Sequence, residues 1–183
     1  MARSAKRTGS ESSGVQTHAS IGLVGGRQEF ARFEGNAELE EALMHICGQS
    51  PERKIKGAGT IMMLMSKEPI DPKLAERAFD PLLTLAESER DKAVKRSFIK
   101  ALGSTPAQFT LPADTIQRLE ELALKETDAD VVREAARAIF RLSNDSPTSP
   151  ENVLRLNDKA KRRFGDGHIV RVAILDVMVE LCK

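Results

Sequence analysis

The residues best equipped for chemistry in this chain are a run of cations, Arg90, Lys92, Lys95, Arg96 and Lys100, set one to four residues apart. At that spacing the charges gather on one side of a helix and can hold an acidic protein segment or phosphates. Catalytic sets are scarcer. The three histidines, His18, His45 and His168, stand in none of the His/Glu spacings that build metal sites, and no Cys-x-x-Cys occurs. A closed metal site and a bound cofactor are therefore not expected. Cys47 and Cys182 fall on apolar helical faces and read as small hydrophobes rather than nucleophiles. Asp114 with Glu121, and Glu40 with Glu41, are paired carboxylates in sequence alone. Gly22-Leu23-Val24-Gly25-Gly26 lacks the following Lys-Ser/Thr of a phosphate loop. No catalytic residue is assigned, and the expectation is a non-enzymatic protein.

The frame for these residues is a chain of 183 residues with 28 Lys+Arg against 27 Asp+Glu. That balance gives no global pull toward nucleic acid or anionic membrane. Seven Phe with no Trp or Tyr disfavour a base-stacking surface. Two distant cysteines, no 18-residue apolar run and no apolar stretch behind Arg3, Lys6 and Arg7 point to a cytoplasmic address. Residues 1–35 carry Gly and Ser without helical period and read as a flexible tail, in which Phe30 and Phe33 allow one helical turn over Gln28–Glu34.

From Asn36 onward the apolar pattern is helical, broken at Gly48–Pro51, Glu68–Pro72, Gly103–Pro106 and Asn144–Pro150. Four segments align at a period of about 38 residues. Their anchors are Ile55, Val94, Val132 and Val170, each followed by Lys56, Lys95, Arg133 or Arg171. A small residue comes three positions later (Ala58, Ser97, Ala135, Ala173). An apolar pair closes each at seven and eight (Met62-Met63, Ala101-Leu102, Ile139-Phe140, Val177-Met178). Offsets 0, 3, 7 and 8 form one helix face. Helices at Ala37–Cys47, Lys73–Glu87, Ala113–Glu126 and Glu151–Phe164 separate them. The chain thus divides into four helix-turn-helix units at about 36–67, 68–104, 105–145 and 146–183, none able to bury its apolar stripe alone.

Asp128-Ala129-Asp130-Val131-Val132-Arg133-Glu134-Ala135-Ala136 resembles the second helix of a HEAT repeat, and Asp166–Ala173 resembles it nearly as well. Asp91-Lys92-Ala93-Val94-Lys95 keeps the Asp with Lys for Arg, and Glu52–Lys56 is the most divergent copy. The resemblance covers about residues 36–183 and implies an all-α fold, a right-handed α-solenoid of four HEAT-like repeats in the armadillo-like class. It implies no chemistry. The di-iron HEAT-repeat hydroxylases need His-Glu pairs absent here, and the HEAT-like DNA alkylation glycosylases use Trp and Tyr.

The resemblance also implies that the second helices line a concave wall. There Lys56, Lys95, Arg133 and Arg171 either pair with Asp91, Asp130 and Asp166 as a ladder between repeats or contact a ligand. Second helices are net basic in the first three units and first helices net acidic. Residues 149–165 reverse this through Lys159, Lys161, Arg162 and Arg163. The leading expectation is a scaffold that holds an acidic or amphipathic protein segment through Lys56, Arg90, Lys92, Lys95, Arg96, Lys100, Arg133, Arg137 and Arg171. The alternative is nucleic acid on the same basic wall; no membrane is expected as a partner.

In Ile169–Cys182 only Arg171, Asp176 and Glu180 interrupt an apolar helix, so it should be covered on more than one side. A second copy, a different partner, local burial or further chain could do this. A homodimer would use Ile169, Val172, Ile174, Val177, Met178 and Leu181.

Overall fold

The computed structural model describes residues 37–66, 72–106, 109–143 and 150–183. The expectations placed on residues 1–35, including the turn at Phe30 and Phe33, lie outside them. Among the described residues the fold is all-α, with eight helices and no strand. They are α1 (Ala37–Ile46), α2 (Pro51–Met65), α3 (Pro72–Ser88), α4 (Lys92–Leu102), α5 (Thr115–Lys125), α6 (Ala129–Leu142), α7 (Glu151–Phe164) and α8 (Ile169–Leu181).

Local chemistry sets most helix starts. Ser50 caps α2 with Pro51 in its first turn, where a missing N–H costs nothing. Asp91 accepts from the Ala93 and Val94 amides at 2.9 and 3.0 Å, and Asp128 accepts from Asp130 and Val131 at 3.0 and 3.1 Å. His168 caps α8 through Nδ1, which accepts from the Val170 amide at 3.3 Å. At the end of α7 the chain turns through Gly165 at φ 82°, a conformation open to glycine and strained for other residues.

The helices alternate in role. α2, α4, α6 and α8 pack in succession, each against the next, and α1, α3, α5 and α7 pack against their even-numbered neighbours. The core runs along this junction. Phe79, Phe98, Leu102, Ile139 and Leu156 are among its largest fully buried side chains.

The anchors Val94, Val132 and Val170 are wholly buried as the repeat requires, but Ile55 is 38% exposed. In α2 the inward residues are Gly57, Ala58, Ile61, Leu64 and Met65. Of these, Gly57 and Ile61 fall at offsets 3 and 7 when counted from Lys54, one residue earlier, so the buried side of α2 is turned by about one residue against the sequence alignment. The packing of α1 explains the shift. A Cβ on Gly57 would stand 2.7 Å from the Ala42 carbonyl oxygen and 2.8 Å from His45 Cβ, so only glycine lets the two helices approach at this register. Met63 is turned out as a result, 54% exposed.

Candidate functional site

The even-numbered helices carry eight of the nine cations expected to meet a partner, with Arg90 just before α4; a three-residue device fixes where several point. Ahead of α4 stands Glu89-Arg90-Asp91, and ahead of α6 stands Glu126-Thr127-Asp128. In each, the Asp caps its helix. In each, Oε1 of the Glu accepts from the next two backbone amides: Arg90 and Asp91 at 2.8 and 3.0 Å, Thr127 and Asp128 at 2.9 and 3.4 Å. The other oxygen, Oε2, faces back to the preceding even helix. There it accepts from Lys54 at 2.6 Å or Lys95 at 2.8 Å.

Burial pushes the Glu89 and Glu126 carboxyls up, but the lysine and amide donors outweigh it and hold both below the usual carboxylate range. These half-buried pairs tie repeat to repeat. They correct the expected ladder. Asp91 is occupied by its own helix's N–H groups, so the rung belongs to the Glu two residues before it. Lys54, two residues before Lys56, makes with Glu89 the tie expected of Lys56. Asp130, foreseen as a rung for Lys95, pairs with Arg96 at 3.3 Å and with Arg133 of its own helix at 2.9 Å.

The ties continue along the row. Lys92 reaches Asp128 at 3.4 Å, Arg133 reaches Asp176 at 2.8 Å and Arg137 reaches Glu180 at 2.7 Å. Hydrogen bonds from Arg137 hold the Glu180 carboxyl below its ordinary range, as Arg137's own value rises. Arg171 turns back to Asp166 at the head of its own helix. Of the nine cations assigned to a partner, Lys92, Lys95, Arg96, Arg133, Arg137 and Arg171 are thus neutralised by carboxylates within the chain. Lys56, Arg90 and Lys100 make no ion pair among the described residues. Arg53 and Arg141, outside the expected set, share that condition.

The free cations on α2 adjoin exposed apolar surface. Ile55, Gly59 and Met63 follow one another at four-residue steps. A Cβ on Gly59 would meet nothing within 4 Å, so the strip is open above it. Arg53, Lys56 and Thr60 flank it on the same exposed side.

A second layer of ties joins the odd-numbered helices. Arg77 pairs with Glu40, Arg118 grips Glu87 with two hydrogen bonds of 2.7 and 2.8 Å, and Arg155 and Lys159 close on Glu120 at 2.8 and 2.5 Å. The Glu120 side chain is 2% exposed. Between α3, α4 and α5 lies an open cleft of about 350 Å³, where the pairs Glu87–Arg118, Lys95–Glu126 and Glu121–Lys125 surround Leu122. Gln117 and then Lys125 hold the Glu121 carboxyl below its usual range, as Lys95 does for Glu126. Neither group retains a proton near neutral pH for general acid chemistry. Cys47 is no better suited to nucleophilic attack: burial, partly opposed by Lys54, pushes its thiol up to about 11. No three His, Cys, Asp or Glu side chains among the described residues could hold a metal ion.

On α8, Ile174 and Val177 are wholly buried in the chain's own core and cannot line an interface between copies. Met178 and Leu181 are half-buried, and Ile169, Val172 and Val179 are exposed. Val179 is absent from the expected set because all sides of this helix look alike in sequence. No described helix is long and apolar enough to cross a membrane. Comparison with family models, with characterised proteins and with solved structures found no match to this chain.

Proposed function

We propose that residues 36–183 form a right-handed α-solenoid of four HEAT-like repeats and act as a non-enzymatic interaction module. The module takes an acidic, amphipathic protein segment along the exposed side of its even-numbered helices. The succession α2, α4, α6, α8 and the duplicated Glu-x-Asp device support the repeat reading. One observation carries the ligand class. The exposed strip Ile55, Gly59, Met63 lies beside Arg53 and Lys56, cations that no carboxylate of the described residues neutralises. Apolar side chains of the segment would cover the strip while its carboxylates meet Arg53 and Lys56, with Lys100 and Arg141 further along the row. The nucleic-acid alternative on this wall loses support, because Lys92, Lys95, Arg96, Arg133 and Arg137 are already paired within the chain.

The test is fluorescence anisotropy with a labelled helical peptide carrying Leu every third or fourth position and Glu elsewhere. Saturable binding that is weakened by Met63→Asp and by Arg53→Glu with Lys56→Glu, at unchanged helicity, is expected. Equal binding of polyglutamate, or indifference to these variants, overturns the reading.

A further inference from the structure

Among the described residues, α7 carries a row of exposed cations in the odd-numbered layer, two of them without a carboxylate partner. Arg155, Lys159, Arg162 and Arg163 follow at i, i+4, i+7 and i+8 and share one exposed stripe, with Lys161 beside it. Arg155 and Lys159 anchor this stripe on the buried Glu120. Lys161 is 3.9 Å from Asp166, a carboxylate already held by Arg171. Arg162 and Arg163 have no carboxylate partner among the described residues; Arg163 instead lies 5.1 Å over the Phe164 ring, which stacks on His168 at 4.3 Å. Of the nearby acids, Asp158 alone shares the exposed surface of α7 without a partner. Past the stripe, nothing lies within 4 Å of where a Cβ would stand on Gly165 or Gly167, and the exposed Asp166 sits between them.

We propose that this stripe is a docking surface for the phosphodiester backbone of a nucleic-acid duplex. From Arg155 to Arg162 the helix rises about 10 Å, the axial length over which one strand presents three phosphates. Guanidinium groups match phosphate oxygens two at a time, and three of the four stripe cations are arginines. A bilayer is the poorer partner, because the apolar side of α7 (Val153, Leu156, Ala160) is buried in the core and leaves Leu154, 41% exposed, as the one large aliphatic side chain of α7 to insert. With one stacked ring pair and no further aromatic residue on α7, recognition is of charge and shape, without base sequence.

The experiment is anisotropy of a labelled 20-base-pair DNA duplex titrated with the full chain between 50 and 200 mM NaCl. Two phosphate contacts, from the unpaired Arg162 and Arg163, give a slope of log K against log salt of about −1.8. In the double variant Arg162→Ala with Arg163→Ala both contacts go and the slope falls to near zero. Neither arginine holds a carboxylate, so circular dichroism should stay that of the parent. Binding of the acidic peptide on the even-numbered layer should also be unchanged, which separates this surface from that one. Three results overturn the proposal: no binding at 50 mM salt up to about 100 μM protein, the upper end of non-specific affinities; an unchanged slope in the double variant; or binding to vesicles containing 30% phosphatidylserine without binding to the duplex.

Discussion

Replacing Gly57 by alanine puts a methyl carbon 2.7 Å from the Ala42 carbonyl oxygen, 2.8 Å from His45 Cβ and 2.9 Å from Ile46 Cγ2. Carbon contacts are optimal at about 3.5–4.0 Å, so α1 must retreat by more than half an ångström along its packed side. Two of the three obstacles are backbone or Cβ atoms that no rotamer change can move. Two residues on, in the same helix, a Cβ at Gly59 meets nothing within 4 Å. The same substitution therefore has opposite signs at the two sites. Gly59→Ala should gain about 0.8–1 kcal/mol from helix propensity. Gly57→Ala gains the same and loses about 1–3 kcal/mol to overpacking. The difference between the variants removes propensity and leaves the steric cost alone. For a chain of this size, 1 kcal/mol moves Tm by about 2–4 °C, so Gly57→Ala should melt about 2–12 °C below Gly59→Ala. Thermal unfolding followed at 222 nm reads this directly. If Gly57→Ala melts at or above Gly59→Ala, the close approach of α1 and α2 and the register shift built on it are wrong.

The remaining predictions concern the ties and the last helix. Glu120→Gln leaves Arg155 and Lys159 without their buried carboxylate; since both are about half-exposed they return to water, and a loss near 1–2 kcal/mol in urea unfolding is expected, short of the 3–5 kcal/mol of a fully buried pair. Glu126→Gln should destabilise the chain at pH 7. Because the folded Glu126 carboxyl lies below its unfolded value near 4.3, its contribution is full above that pH and is lost as pH falls through the lower folded value. The stability gap between Glu126→Gln and the parent should therefore close on acidification, and a gap constant from pH 7 to about 2.5 would contradict the pairing with Lys95. Ile174→Asp should unfold the C-terminal repeat, while Val179→Asp, at a site 60% exposed, should leave Tm nearly unchanged. Equal melting of those two variants would remove the assigned orientation of α8.

The fold was legible because its signal is periodic. Val94, Val132 and Val170 sit where the alignment put them, and every expected helix lies within two residues of an observed one. The first repeat was not, since Gly57 changes the distance to α1 and with it the register; a glycine among inward residues carries that information only when its neighbour in space is known. For the candidate surface, residue type was the visible part. Lys92, Arg96 and Arg133 are basic as read, yet whether a cation is free depends on a carboxylate 34 to 43 residues away, which spacing within one helix cannot show. Glu89 and Glu126 differ in this: both stand two residues before a capping Asp, a repeated pair that the sequence itself displays.

The two rows of ties run in opposite senses. In the even-numbered helices the cation belongs to the earlier repeat and the carboxylate to the later, as in Lys54–Glu89 and Lys95–Glu126. In the odd-numbered helices the earlier repeat supplies the carboxylate, as in Glu40–Arg77, Glu87–Arg118 and Glu120–Arg155. Each repeat thus has a head and a tail that complement each other and not themselves. Excision of one whole unit would still bring Glu40 opposite Arg118 and Lys54 opposite Glu126, whereas an inverted unit would set like charges face to face in both rows. Ties of this polarity stay matched when one helix pair is removed whole and are broken when part of a pair is removed.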